Sequence, residues 1–348
     1  MKKKVIVAMS GGVDSAVTIY LLQTAGYEVC GITMRLSQES EHVEIAGKIA
    51  RKLKIEHRVL DLRKEFKQEI IDYFAHEYLI AHTPNPCLRC NHLIKFGILM
   101  DIAVKQDVYF ATGHYARIFH DQQKDLYLIK KAKDAKKDQS YVLYMLDQAK
   151  LKRMLLPLGD MTKDKIKLIA QQLDLPLDQN QESQDICFIP DRDYVRYIKN
   201  HLLDFDPKPG KIINSQGKVL GTHKGIIFYT IGQRKGLGIA HTEPLFVIRI
   251  NLEDNTIIVG TEAELYNKGC VLKHTYFAHS DFKKPKFNAL VKIRYHHKPA
   301  AAKIIHLADN SYQIEFLKPQ KSITLGQGAV FYDQDKVMGG GIIEQILY

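Results

Sequence analysis

The apolar positions of this chain change rhythm once, near residue 207. Before that point, short apolar runs at residues 5–9, 29–34, 58–62 and 108–112 alternate with stretches of helical spacing at 16–22, 43–53, 64–81 and 93–105. Short runs bounded by polar residues read as buried strands, and the 3.6-residue period reads as amphipathic helix. The first half is therefore expected to be α/β, a doubly wound parallel sheet built from strand–helix–strand units. After the segment at 204–210, which carries two prolines and a glycine, the runs become short and alternating and are punctuated by Gly and Asn, as at 218–221, 245–251 and 256–260. That texture predicts β-structure without crossover helices. From Cys270 onward it recurs at 289–295, 302–307, 312–316 and 329–332, as expected of a small barrel. The division that follows is a catalytic domain at 1–205, a small β-rich central domain at 206–268 and a C-terminal β-barrel at 269–348. No internal repeat or low-complexity tract interrupts it.

Composition narrows the choice of partner. The chain has 348 residues, 45% of them apolar, so it can bury a large core. Fifty Lys and Arg against 39 Asp and Glu leave a formal charge of +11. A positive surface of that size favours a polyanion through phosphate neutralisation and counterion release, with nucleic acid the leading candidate. The N-terminus sets Lys2, Lys3 and Lys4 before five apolar residues, too short a run for a secretory leader or a membrane span. A cytoplasmic protein with no membrane partner, working as a monomer, is expected. Five cysteines (Cys30, Cys87, Cys90, Cys187 and Cys270) are an odd number in a long chain, which favours thiol chemistry or metal binding over a disulfide framework.

The sharpest local signal is Ser10-Gly11-Gly12-Val13-Asp14-Ser15, set between the first strand and a helix whose apolar face reads as Ala16, Val17, Tyr20 and Leu21. Glycines allow the tight turn, while backbone amides and the positive end of the helix face an anion such as pyrophosphate. Asp14 would repel bare phosphate, so it is expected to organise the loop or a bound Mg²⁺. The loop lacks the Gly-Lys-Ser/Thr ending of a Walker motif. It resembles the pyrophosphate-binding loop of the adenylating synthetases, which cleave ATP between the α and β phosphates. That resemblance implies ATP as cosubstrate, activation of a carbonyl oxygen as the reaction class, and an adenine-binding place for Met34, which by itself reads as core filler.

Two cysteine regions choose the chemistry. In 82–91 the prolines Pro84 and Pro86 fix an extended approach to Cys87 and Cys90. Cys90 is expected near a helix start, where the dipole and Arg89 would lower its thiol pKa. Cys187 follows the polar stretch 181–185 and precedes Phe188 and Ile189; by itself it looks like a strand cysteine. Cys30 and Cys270 read as structural.

Taken together, the loop at 10–15, Thr83-Pro84-Asn85-Pro86 through Cys90-Asn91, Gly113-His114-Tyr115-Ala116-Arg117, Lys137-Asp138-Gln139-Ser140-Tyr141, the segment 183–189 and Tyr229-Thr230-Ile231-Gly232-Gln233-Arg234 resemble the tRNA-specific 2-thiouridylase family over nearly the whole chain. The resemblance implies an adenine nucleotide alpha hydrolase-like catalytic domain and ATP-dependent 2-thiolation of a wobble uridine. It implies a persulfide on Cys187, delivered by a cysteine desulfurase or a sulfur-relay protein, and Cys90 as the thiol that resolves it. It places ATP at Ala8, Met9, Ser10, Gly11, Gly12, Val13, Asp14, Ser15, Met34 and Gly113. It places tRNA at His114, Lys137, Asp138, Gln139, Arg294, Tyr295 and Gln327, with Asn85, Pro86 and Cys87 beside the flipped base.

One position departs from that pattern: many members carry aspartate where this chain has Cys87. The pair Cys87-x-x-Cys90 could form a local disulfide, share the sulfur chemistry, or join Cys187 as three ligands of a [4Fe–4S] cluster. Zinc with His92 as a fourth ligand has an unusual spacing. Two other readings compete: a small-molecule adenylating ligase of the same superfamily, which needs no basic RNA surface, and a non-enzymatic RNA-binding module, for which the phosphate loop has no purpose.

Overall fold

The computed structural model describes residues 2–39, 41–175, 186–189, 191, 193–201 and 206–348. The polar stretch 181–185 and linker residues 204–205 singled out above lie outside the described residues.

The first half forms a five-stranded sheet in the order β3-β2-β1-β4-β7, with β1 at Lys4–Met9, β2 at Glu28–Arg35, β3 at Glu56–Asp61, β4 at Tyr109–Ala111 and β7 at Met154–Leu155. Every pairing in it is parallel. The order reverses between β1 and β4, and the crevice beyond the carboxyl ends of those two strands is where such sheets bind ligands. Helix α1 (Val13–Thr24) leaves β1 at that point. It is covered on two sides: Ala16, Ile19 and Leu22 face the β1 core, while Val17 packs with Ile166 and Ala170 of α4 (Lys163–Gln172). Tyr20 and Leu21, read as part of its apolar face, are only half-buried. Strand β3 also differs from expectation. It is the sheet edge, with Val59 44% exposed, so its apolar run does not mark a buried strand.

Between Arg63 and Leu79 the chain is helical throughout, with a wide π-helical turn at Lys67–Asp72. The next helical stretch opens with α3 (Pro86–Cys90) and passes directly into a second π-helical segment, Asn91–Leu99. Helix α2 (Glu41–Lys52) lies between β2 and β3 in the chain, and α5 (Tyr194–His201) follows Cys187.

The middle of the chain forms a four-stranded sheet, β10-β11-β8-β9 (Phe246–Asn251, Thr256–Gly260, Gly210–Asn214, Val219–His223). Its core is Ile212, Tyr229, Val247, Ile257 and Val259. The last six strands are β12 (Tyr266–Phe277), β13 (Lys286–Lys292), β14 (Ala300–His306), β15 (Tyr312–Lys321), β16 (Gly328–Asp333) and β17 (Lys336–Leu347). Pairing of β12 with β17 closes them into a barrel.

The rhythm of the sequence hid two parts of this barrel. Strand β17 contains Gly339, Gly340 and Gly341; a Cβ at Gly340 would stand 2.5 Å from the Ala329 carbonyl oxygen, so these glycines serve close strand approach. The hairpin of β5 (Ala116–Asp121) and β6 (Leu126–Lys131) comes from the first half, yet joins the barrel's sheet through Lys130 and Lys336. One apolar core consequently runs from Ile94, Phe96 and Phe110 through Tyr141 and Tyr144 to Val330 and Tyr332 on the barrel wall. Sheet and barrel are held together by shared packing, which fixes what each presents to the crevice.

Candidate active site

The loop after β1 is built for an anion. Gly11 has φ +80°, a conformation that strains other residues, and a Cβ there would lie 2.8 Å from the His42 carbonyl oxygen. Gly12 is the extended N-cap of α1 and supplies no side-chain cap, so the first amides of the helix are left to face the crevice. The serine hydroxyls brace the loop: Ser15 Oγ donates to the Gly12 carbonyl at 2.9 Å, and the Gly12 amide donates to Ser10 Oγ at 3.4 Å. Ala8 and Met9 end β1 beneath it, and Val13 begins the helix.

Asp14 does not project free negative charge. Lys163 Nζ lies 2.8 and 3.0 Å from its two oxygens, and the Tyr115 hydroxyl donates at 2.6 Å. The second loop of the crevice, after β4, packs directly on this pair: a Cβ at Gly113 would stand 2.9 Å from the Asp14 backbone carbon. Met34 ends β2 half-buried against the core, and its carbonyl oxygen is 3.0 Å from His42 Nε2. His42 thus ties the place proposed for adenine to the phosphate loop.

The cysteine wall follows from capping. Asn85 accepts from the Cys87 amide at 3.1 Å and Pro86 takes the first helical position, which fixes the start of α3. Cys90 is the fifth residue of this helix and is buried, not seated in the first turn. Burial pushes its thiol up to about 12, with Lys95 opposing and the Cys187 and Cys87 sulfurs adding to the rise. The expectation of a lowered pKa is overturned: desolvation outweighs charge here. Arg89 contributes nothing to it, because its guanidinium donates to the Glu69 carbonyl and carboxylate at 2.6 and 2.7 Å and stacks 4.3 Å over Tyr73.

Cys87 and Cys187 keep solvent access. Enough protein still surrounds each thiol for desolvation to raise its pKa, and for Cys187 the neighbouring Cys87 is the next cause. The three sulfurs lie within electrostatic reach of one another. Cys187 sits in a turn rather than the strand its apolar neighbours suggested. Phe188 anchors that turn edge-on against Phe66 and Phe74, with centroids 5.7 and 5.4 Å away.

His114 links the two loops. Its Nδ1 is 2.8 Å from Thr112 Oγ1, its ring is 5.6 Å from Phe96, and burial followed by the Lys95 charge lowers its pKa to about 3, so it is a neutral imidazole. Asp138 and Gln139 buttress this segment, with the Lys137 amide donating to the Asp134 carbonyl just before them: Asp138 accepts from the amides of Ala132 and Ser140, and Gln139 accepts from the Tyr115 amide at 2.9 Å.

The third wall comes from the barrel. Gln327 donates to the Thr83 carbonyl at 2.7 Å, the Thr83 amide donates to the Leu325 carbonyl, and Thr83 Oγ1 meets Thr230 Oγ1 of the middle segment at 3.4 Å. Tyr295 packs edge-on to Tyr141, and burial, then Asp138 and Cys87, push its hydroxyl up to about 12. Arg294 is occupied with the Lys321 and Ser322 carbonyls at 3.1 and 3.4 Å.

The metal expectation finds no support in the donor set. Among the described residues, which include Cys87, Cys90 and Cys187, no group of three or more His, Cys, Asp or Glu could hold a metal ion. His92, considered for zinc, faces the Tyr276 hydroxyl at 3.1 Å. Among the described residues no helix is long and apolar enough to cross a membrane.

Sequence reasoning missed Lys163 and gave Tyr115, quoted within 113–117, no role of its own. Lys163 reaches Asp14 across 149 positions, and nothing local to it announces that contact.

Three family profiles match in order: the tRNA methyl transferase HUP domain at 3–191, the tRNA methyl transferase PRC-barrel domain at 196–261 and the aminomethyltransferase beta-barrel domain at 267–343. The tRNA-specific 2-thiouridylase of Clostridioides difficile (strain 630) is 44% identical over 360 residues, covering 100% of this chain and 99% of its own length. That of Clostridium botulinum (strain Langeland) is 44% identical over 359 residues, covering 99% and 100%. With three family profiles in order and full-length similarity in agreement, the chain belongs to the tRNA-specific 2-thiouridylase family.

Proposed function

We propose that this chain replaces the C2 oxygen of a wobble uridine in tRNA with sulfur, using ATP. The observation that supports this reading most is the gathering of Cys90, Cys187 and Cys87 within electrostatic reach of one another, connected to the phosphate-loop crevice through Phe96, His114 and Tyr115. A small-molecule adenylating ligase has no use for that convergence.

Oxygen on a pyrimidine C2 is a poor leaving group. In the first step the uridine O2 attacks the α-phosphorus of ATP, pyrophosphate departs toward the α1 amides, and O2 becomes an adenylate. In the second, the terminal sulfur of a Cys187 persulfide attacks C2 and AMP leaves with the former O2, so that Cys187 and the base share an S–S bond. Finally the Cys90 thiolate attacks Cys187 Sγ; that S–S bond breaks, its electron pair stays with the sulfur on C2, and a Cys90–Cys187 disulfide forms. External thiols must reduce this disulfide before the next turnover.

In this reading Ala8 to Ser15, Met34 and Gly113 bind ATP, and Mg²⁺ travels with the nucleotide's phosphates. Asn85, Pro86, Cys87 and Tyr295 line the pocket for the flipped base, and His114, Lys137 to Gln139, Arg294 and Gln327 serve tRNA docking, directly or by holding the walls. A cysteine desulfurase or sulfur-relay protein supplies the persulfide to the exposed Cys187. The units 1–205, 206–268 and 269–348 divide catalysis from docking within a cytoplasmic monomer.

The test is mass spectrometry of tRNA nucleosides after incubation with ATP, Mg²⁺ and a persulfide source, alongside pyrophosphate exchange with and without tRNA. One oxygen-to-sulfur exchange on uridine and RNA-dependent ATP use are expected. Exchange that is indifferent to RNA, with unchanged nucleosides, would sink the proposal in favour of the small-molecule ligase.

A further inference from the structure

Strand β13 carries a lysine where its neighbours call for an apolar side chain. Val291 and Ile293 pack in the barrel core, so Lys292 between them faces the catalytic half. It pairs with Val330 of β16 and shares its face with Leu290 and Tyr332, which pack in the core that joins barrel to sheet. Lys292 is only 8% exposed. Among the described residues no carboxylate lies within ion-pair distance of its ammonium and no oxygen accepts from it. Its contacts are the rings of Tyr141 and Tyr295, with centroids 5.6 and 5.7 Å away. Aromatic faces offset only part of the cost of burying a charge. Burial lowers the pKa of this lysine, as expected of a cation short of a counter-charge.

The side chains around it leave that counter-charge to come from outside the chain. The carboxylate of Asp138 is already filled: it accepts from the Ala132 amide at 3.0 Å, the Ser140 amide at 3.2 Å and the Ser140 hydroxyl at 2.9 Å. A second ammonium, that of Lys131 at the end of β6, lies 4.6 Å over the Tyr332 ring and donates to the Gln334 carbonyl at 3.4 Å, again with no acid at ion-pair distance among the described residues. The Tyr295 hydroxyl makes no hydrogen bond among the described residues. Two cations and a hydroxyl on one aromatic cluster suit an anion with several acceptor oxygens.

This cluster backs the cysteine wall. Tyr141 donates its hydroxyl to the Gly328 carbonyl at 2.9 Å, and a Cβ at Gly328 would stand 2.6 Å from Leu88 Cδ1, between Cys87 and Cys90 on α3. Gly326 abuts the approach to that helix, where a Cβ would stand 3.1 Å from His82 Cβ and 3.3 Å from the Pro84 nitrogen. Nucleotide phosphates have their own loop at Gly11 and Gly12, so the anion that suits the barrel side is one carried by RNA.

We propose that Lys292 binds a backbone phosphate of the RNA strand that presents the target base, with Lys131 and Tyr295 as flanking contacts, and so positions that strand against the cysteine helix. The proposal deepens the thiolation reading and rests on it for the identity of the polyanion. The free protein holds the cation unpaired, and bound RNA supplies its partner. Such a contact fixes register and carries no base information.

The experiment measures equilibrium binding of the full-length protein to a transcribed tRNA with a wobble uridine, from about 50 to about 200 mM salt. Lys292→Gln and Lys292→Met should weaken binding about tenfold and reduce the slope of log K against log salt by about one, since one fewer counterion is released. The same losses are expected with cytidine at the wobble position, and ATP affinity should be unchanged. Free Lys292→Met should have a Tm at or above that of the wild type, because a buried unpaired charge has been removed. An unchanged slope in a folded variant overturns the proposal; if ATP affinity falls instead, the anion belongs to the nucleotide. A lower Tm, or failure of both variants to fold, overturns it as well, because the lysine would then serve the fold itself. Binding is read without a sulfur donor, so absent thiolation by the wild type would count against the function and leave the slope to decide the role of Lys292.

Discussion

Lys163 holds Asp14 by both carboxylate oxygens, at 2.8 and 3.0 Å, and so removes the negative charge that the phosphate loop would otherwise turn toward its ligand. Lys163→Met leaves the half-buried Asp14 carboxylate without its cation, with the Tyr115 hydroxyl still donating to it. A stability loss of about 1–3 kcal/mol is expected, with pyrophosphate exchange reduced at least about tenfold. Asp14→Ala should stop adenylation with tRNA affinity little changed. Chemical denaturation and exchange assays measure both; normal ATP turnover in Asp14→Ala would contradict the assignment of the loop.

Gly113 has no room for a side chain. A methyl group there would press on the Asp14 backbone carbon at 2.9 Å and the Ser15 amide nitrogen at 3.0 Å. Gly113→Ala must displace the start of α1, at a cost of about 1–3 kcal/mol. The Michaelis constant for ATP is expected to rise, and a wild-type value would show that the two loops are not a common nucleotide site.

Cys187→Ser should keep tRNA binding and adenylation yet abolish sulfur incorporation, and Cys90→Ser should accumulate enzyme joined to tRNA through Cys187. Nucleoside mass spectrometry reads the first outcome and a gel shift sensitive to reductant reads the second. Retained thiolation by Cys187→Ser removes it as the persulfide carrier.

Gln327 connects barrel to catalytic loop through its 2.7 Å bond to the Thr83 carbonyl. Gln327→Ala loses one neutral hydrogen bond, about 1 kcal/mol. A matching fall in thermal stability is expected, together with weaker kcat/KM for tRNA. Unaltered stability would show that the contact does not anchor the loop.

His114 supplies a pH dependence with a defined sign. Its pKa is lowered to about 3 in the fold, against 6.5 for an ordinary histidine. The unfolded chain therefore takes up a proton that the native protein refuses. The stability this contributes is fully present above pH 6.5 and lost as pH falls toward 3. His114→Gln should flatten the acid limb of the stability curve by about 1.4 kcal/mol per pH unit. An unchanged limb in equilibrium denaturation would mean that His114 is protonated in the fold.

The features legible in the sequence are the local ones. The alternation of apolar runs and helical stretches was enough for the parallel sheet, and Ser10 to Ser15 was enough for the strand–loop–helix proposed to hold an anion, because a turn, its glycines and the following helix are contiguous. Cys87 and Cys90 were legible as a closely spaced pair for the same reason. How those parts are charged and joined was settled by the fold. Cys90 reads as activated from its neighbours, yet burial dominates it; Arg89 reads as its cation, yet Glu69 captures that side chain. The β5–β6 hairpin and Lys163 act on partners far away in the chain. Desolvation and long-range pairing depend on which distant segments pack together, and no residue's immediate neighbours in sequence encode that.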